Sequence, residues 1–138
     1  GIIDGTEKLG ELYGSLSSLE SRKAVLEAMS MADDSDGLLR VLQTEKDTEL
    51  RTAAIRYLAI TGGDSAAENL GSLYSSGSRE EKNAVIEAMM IMEDAEALIG
   101  LLKQESDPEL KRKMLQMLTL MDSEESDKYL FEMLEKKG

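Results

Sequence analysis

The segment DTELRTAAIRYL, Asp47 to Leu58, returns sixty positions later as DPELKRKMLQML, Asp107 to Leu118. At the same shift AVLEAM (Ala24 to Met29) meets AVIEAM (Ala84 to Met89), and at sixty-one LGELY (Leu9 to Tyr13) meets LGSLY (Leu70 to Tyr74). A shift of thirty aligns Ala24, Ala54, Ala84 and Met114, then Val25, Ile55, Val85 and Leu115, then Ala28, Leu58, Ala88 and Leu118. The unit is thirty residues, duplicated in pairs. A chain written this way must fold as copies that dock on one another, because each copy alone is too small to bury its own apolar surface.

Each unit carries two helical patterns. The first, the A helix, opens with a capping residue four places before a base: Ser18 and Arg22, Asp47 and Arg51, Ser78 and Lys82, Asp107 and Lys111. A Ser or Asp oxygen there accepts a free backbone N–H of the first turn. Pro108 falls where its missing N–H costs nothing, and Ser78 with Glu81 fits a capping box. Apolar residues then recur at helical spacing, as in Ala84, Val85, Ala88, Met89 and Met92, which leaves Arg79, Asn83 and Glu87 for solvent.

Breaks follow at Asp33-Asp34-Ser35, Thr61-Gly62-Gly63-Asp64, Glu93-Asp94 and Asp122-Ser123. A B helix starts after each, with stripes at Leu39 and Leu42, at Leu70, Leu73 and Tyr74, at Ile99 and Leu102, and at Leu130, Met133 and Leu134. Leu9, Leu12 and Tyr13 form a further copy at the start. The expected fold is therefore all-α: about nine helices, four and a half repeats, one domain over residues 1–138. Low aromatic content, a single proline and abundant Ala, Leu, Glu, Lys and Met agree with helices throughout.

A two-helix unit of thirty residues with DTELR or DPELK opening its first helix resembles the short HEAT-like repeat found in phycobilin lyase subunits and many bacterial proteins. The resemblance covers essentially the whole chain and implies a right-handed α-α superhelix, a HEAT-like solenoid. It implies further that the opening Asp and the base four later contact neighbouring repeats as a ladder, mapping onto Asp47 with Arg51 and Asp107 with Lys111. Ser18 and Ser78 depart from that pattern.

Charge and composition prune the functions such a family covers. The HEAT-like metal hydroxylases use His-Glu pairs, and this chain has no histidine. A formal charge of -12 contradicts the basic face of HEAT-like DNA glycosylases and disfavours both nucleic acid and anionic membrane surfaces. No apolar run approaches a membrane span. With no cysteine there is no disulfide or thiolate chemistry, and the compartment stays open. Asp and Glu fall at capping or solvent positions, where no carboxylate is tuned toward general-base work. Asp33-Asp34-Ser35-Asp36-Gly37 fails as a calcium loop, since the first and last ligand places fall on Ala32 and Gln43. Gly62-Gly63 reads as a helix end, lacking the strand and lysine of a phosphate loop.

The expected function is a non-catalytic protein-interaction or scaffold module, without cofactor or metal. The alternatives are a small-molecule-handling domain resembling bilin lyase subunits, or a passive spacer or oligomerising segment. B helices of such solenoids line the concave face, so Arg40, Gln43, Lys103 and Gln104 are the expected partner contacts. Gly10, Gly71 and Gly100 share a place in three B helices, at a cost of roughly 1 kcal/mol each relative to alanine. Close approach of adjacent helices explains them, with a groove floor cleared for a ligand as the alternative. Most of the nine methionines read as core filling. Met90, Met117 and Phe131 are the candidates for an exposed, self-associating patch, and Tyr13 and Tyr74 are expected to pack with the hydroxyl outward. The unpaired first B helix predicts further repeats before Gly1.

Overall fold

The computed structural model describes residues 5–62 and 65–137, with only the backbone described at Thr6 and Lys137. Gly1, Gly63, Asp64 and Gly138 lie outside the described residues. Among the described residues there are nine helices and no strand: α1 (Gly5–Ser15), α2 (Leu19–Met31), α3 (Ser35–Thr44), α4 (Thr48–Thr61), α5 (Ala66–Tyr74), α6 (Arg79–Ile91), α7 (Ala95–Gln104), α8 (Pro108–Met121) and α9 (Glu124–Lys137). The even-numbered helices α2 to α8 are the A helices of the repeat and the odd-numbered ones the B helices. None is long and apolar enough to cross a membrane.

The starts of the A helices follow from side-chain chemistry. Ser18 accepts from the Ser21 N–H at 3.1 Å, Asp47 from Leu50 at 3.1 Å and Asp107 from Leu110 at 3.2 Å. Ser78 and Glu81 close a reciprocal capping box, and Pro108 opens α8. Each cap satisfies donors that would otherwise be lost, typically about 1 kcal/mol of stability.

Their ends are equally regular. Asp33, Gly62, Glu93 and Asp122, each fifteen residues after its cap, adopt positive φ. At α2 and α6 the turn is a Schellman motif, with the Asp34 N–H donating to the Met29 carbonyl at 2.8 Å and Asp94 to Met89 at 3.0 Å. Asp34 and Asp94 then cap α3 and α7 through the N–H groups of Gly37 and Ala97. The Asp33 to Gly37 cluster is thus a helix-to-helix turn at Asp33 and Asp34, followed by the first turn of α3.

Counting from the caps corrects the register of the repeat. The caps stand 29, 31 and 29 residues apart, so the buried columns run Val25, Ala54, Val85 and Met114, and Met29, Leu58, Met89 and Leu118. A uniform shift of thirty put Ala24 in the buried column, and Ala24 is exposed. Only the paired period of sixty is constant. One continuous core, from Tyr13 to Leu118, runs through the chain. Completely burying one of its Leu or Met side chains contributes about 1.5 to 3 kcal/mol.

Every backbone contact between helices joins a helix to the next in the chain or to the next but one. The A helices pack in sequence, α2 on α4, α4 on α6, α6 on α8. Among the B helices α1 packs on α3, α5 on α7 and α7 on α9, whereas α3 and α5 make no such contact. This nearest-neighbour pattern is what a repeat needs, since each unit completes its core only against the adjacent one.

Candidate interaction surface

The most elaborate polar structure recurs twice, sixty residues apart. Tyr13 on α1 and Tyr74 on α5 are buried, and their hydroxyls donate to Oε1 of Glu45 and Glu105, which sit in the turns entering α4 and α8. Oε2 of Glu45 accepts the N–H groups of Lys46 and Asp47, and Oε2 of Glu105 those of Ser106 and Asp107. A base covers each ring: Arg22 lies 5.1 Å from the Tyr13 centroid and 3.1 Å from Glu45, and Lys82 lies 5.2 Å from Tyr74 and 3.9 Å from Glu105.

This corrects two expectations. The tyrosine hydroxyls point inward to carboxylates, and not every acidic residue is in a capping or solvent position. Burial opposes ionisation of Glu45 and Glu105, yet the tyrosine hydroxyl, the turn amides and the neighbouring base outweigh it and hold both carboxyls below their usual range. Burial, followed by the hydrogen bond to glutamate, pushes both tyrosines far up. With every carboxylate oxygen engaged, these stations lock the B-to-A turns.

The expected Asp-to-base ladder is also redrawn. Arg51 does bridge repeats, but to Glu81 of α6 at 2.7 Å, whereas Arg22 and Lys82 pair with Glu45 and Glu105 in the turns that close their own repeats. Arg51 additionally donates to the carbonyls of Leu42 and Glu45, and Arg22 to Leu16 at 2.7 Å. The bases thereby neutralise carbonyls at the ends of the preceding B helices. Asp107 pairs instead with Arg79 at 2.8 Å, and no ion pair among the described residues joins it to Lys111. Asn83 and Glu87, expected in solvent, are half-buried and both held by Lys113 of the next repeat.

The B-helix face holds two equivalent shallow grooves. One, about 480 Å³, lies between α1 and α3, bordered by Gly10, Gly14 and Arg40; the other, about 640 Å³, lies between α5 and α7, bordered by Gly71, Gly100 and Gln104. A methyl group added at Gly10, Gly71 or Gly100 would meet nothing within 4 Å. Helix contact therefore does not explain these glycines, and that expectation is overturned. Arg40, Gln43, Lys103 and Gln104 are all exposed but are not brought together: the first two sit on α3 and the last two on α7, with α5 between them in the chain and α3 touching neither. Arg40 and Gln104 edge separate grooves, while Lys103 lies 5.8 Å from the ring of Tyr129.

The main exposed apolar feature lies elsewhere. Met31, Ile60, Ile91 and Leu120 each stand thirteen residues after an A-helix cap and are 82%, 62%, 48% and 69% exposed. They stand at one register of A helices that pack in succession, and two of the three adjacent pairs of rungs are also tied laterally: Thr61 donates to Ser30 at 3.0 Å, and Leu120 shares a small cavity with Met90 and Glu93. Met90 and Met117 themselves are half-buried, so the methionine that reaches solvent is Met31. Phe131 and Leu134 on α9 are exposed as well, at 63% and 70%. The row was readable as the large apolar residue thirteen places after each cap, had the count started at the caps.

No family model, no curated protein and no solved structure matches the chain.

Proposed function

We propose that the chain is a non-catalytic protein-interaction or scaffold module built from HEAT-like repeats, its helical pairs winding as a right-handed solenoid. The observation that carries this reading is the row Met31, Ile60, Ile91 and Leu120. One large aliphatic side chain per repeat stands in water at the same place, although the residues two places before it, Met29, Leu58, Met89 and Leu118, are buried. Repeated exposure at one register marks a surface, since scattered exposed apolar residues need no explanation but an aligned set does. The nearest-neighbour packing of the helices supports the solenoid part of the reading.

Affinity capture from a lysate of the organism that makes the protein tests it, with three baits: the parent, Ile60→Gln with Ile91→Gln, and Arg40→Glu with Lys103→Glu. Proteins held by the parent and lost from the first variant support the row as the binding surface. Loss only from the second variant moves the surface to the B-helix face. If all three retain the same proteins, or none, the segment is a spacer and the proposal fails.

A further inference from the structure

Resting on that reading, we infer that the row receives a cationic amphipathic helix from a partner protein. The first ground is charge. Residues 24–39, 57–78, 83–102 and 114–127, which contain all four A-to-B junctions, hold half of the chain's acidic residues and none of its lysines or arginines. The exposed carboxylates of Asp33, Glu93 and Asp122 follow two residues behind Met31, Ile91 and Leu120, and Glu93 borders the same cavity as Leu120. All four A helices also end here, each presenting the negative end of its dipole. An apolar row beside an acid-only rail asks for an apolar stripe flanked by Lys or Arg.

The second ground is spacing. Packed helices lie about 8 to 10 Å apart, so successive rungs recur at about that interval. A helix rises 1.5 Å per residue and presents one stripe at i and i+7, roughly 10 Å apart, and about 20 residues would span four rungs. An extended strand fits worse, because its third residue, about 10 Å along, points to the opposite face. A second copy of this chain would set acidic rail against acidic rail, and an anionic membrane would repel it.

The test uses a dye-labelled synthetic helix of about 21 residues with Leu at heptad positions a and d and Lys at e and g. Two controls accompany it: a scrambled peptide of identical composition, and the same helix with Glu for Lys. Anisotropy titrations should show saturable binding of the Leu/Lys helix alone, weakened about tenfold or more by Ile60→Gln with Ile91→Gln. Glu93→Gln with Asp122→Asn should weaken it severalfold at low salt, and less as salt screens the rail. Glu132→Gln with Glu135→Gln, on α9, should leave it unchanged.

Equal binding of the scrambled peptide, or indifference to the Ile60 and Ile91 changes, would overturn the inference as unspecific charge attraction. Equal binding of the Leu/Glu helix would overturn the cationic assignment while leaving the row an interaction surface. No binding of any peptide would overturn the amphipathic-helix assignment. If lysate capture still depended on Ile60 and Ile91, the interaction module would survive without it.

Discussion

The hydroxyl of Tyr74 donates to the carboxylate of Glu105 across thirty-one residues, and Tyr13 with Glu45 repeats that bond sixty residues earlier. Each bond ties the B helix of one repeat to the turn that closes the next repeat and launches the A helix after it. It is the polar counterpart of the apolar columns that Leu58, Met89 and Leu118 continue.

Tyr74→Phe should therefore destabilise the protein by about 1.5 to 3 kcal/mol, since it leaves a buried charged acceptor without its donor. Tyr13→Phe should cost less, because Arg22 remains 3.1 Å from Glu45 whereas Lys82 is 3.9 Å from Glu105. Urea midpoints of the two variants, measured at neutral pH, compare them; the reverse order would contradict this assignment.

The same carboxylates govern acid stability. Their folded pKa values lie below the ordinary 4.5, so as pH falls the unfolded chain takes up protons first and stability drops. Asp107, held down to about 2 by Arg79 and the Leu110 N–H, acts in the same direction from its ordinary 3.8. The stabilisation is complete above about pH 5 and is lost as pH falls through the folded values. Glu45→Gln with Glu105→Gln should be less stable than the parent at pH 7 and show a shallower fall between about pH 5 and 3. Denaturant midpoints against pH for both proteins measure this.

Glycines give a paired prediction. Gly100→Ala should stabilise by about 0.5 to 1 kcal/mol, since alanine favours the helix and nothing stands near the added methyl. Gly37→Ala should destabilise, because its methyl would collide with the Asp34 carboxylate that caps α3. Thermal unfolding distinguishes the two signs.

Glu93 holds a left-handed conformation with φ of 54°, which costs a side-chain-bearing residue of the order of 1 kcal/mol. Glu93→Gly should raise the unfolding free energy by up to about that amount, as the equivalent place in the second repeat, Gly62, already does without strain. A lower urea midpoint would contradict it.

Much of the fold was legible because helix starts are local. Ser18, Asp47, Ser78 and Asp107 each announce a cap within four residues, and the breaks after them fall where the structure turns. The alternating 29 and 31 spacing was not, because a fixed shift of thirty matches by residue type and ignores where each helix begins. The tyrosine stations join residues 31 or 32 apart, so no local pattern reveals them, although Tyr recurring at sixty-one with base and Glu recurring at sixty was a usable signal. Met31 read as core for a related reason. It lies on an apolar helix, but at the last turn, where the side chain projects into solvent.

The most direct measurement of the central claim follows methyl shifts of labelled Met, Ile and Leu while the Leu/Lys helix is titrated into the protein. The account predicts that Met31, Ile60, Ile91 and Leu120 move together with one half-saturation point, while Leu39 and Ile99, beside Arg40 and Gly100 on the B-helix face, stay fixed. Shifts at Leu39 and Ile99 with a silent row would contradict it, as would no shift at any of the six.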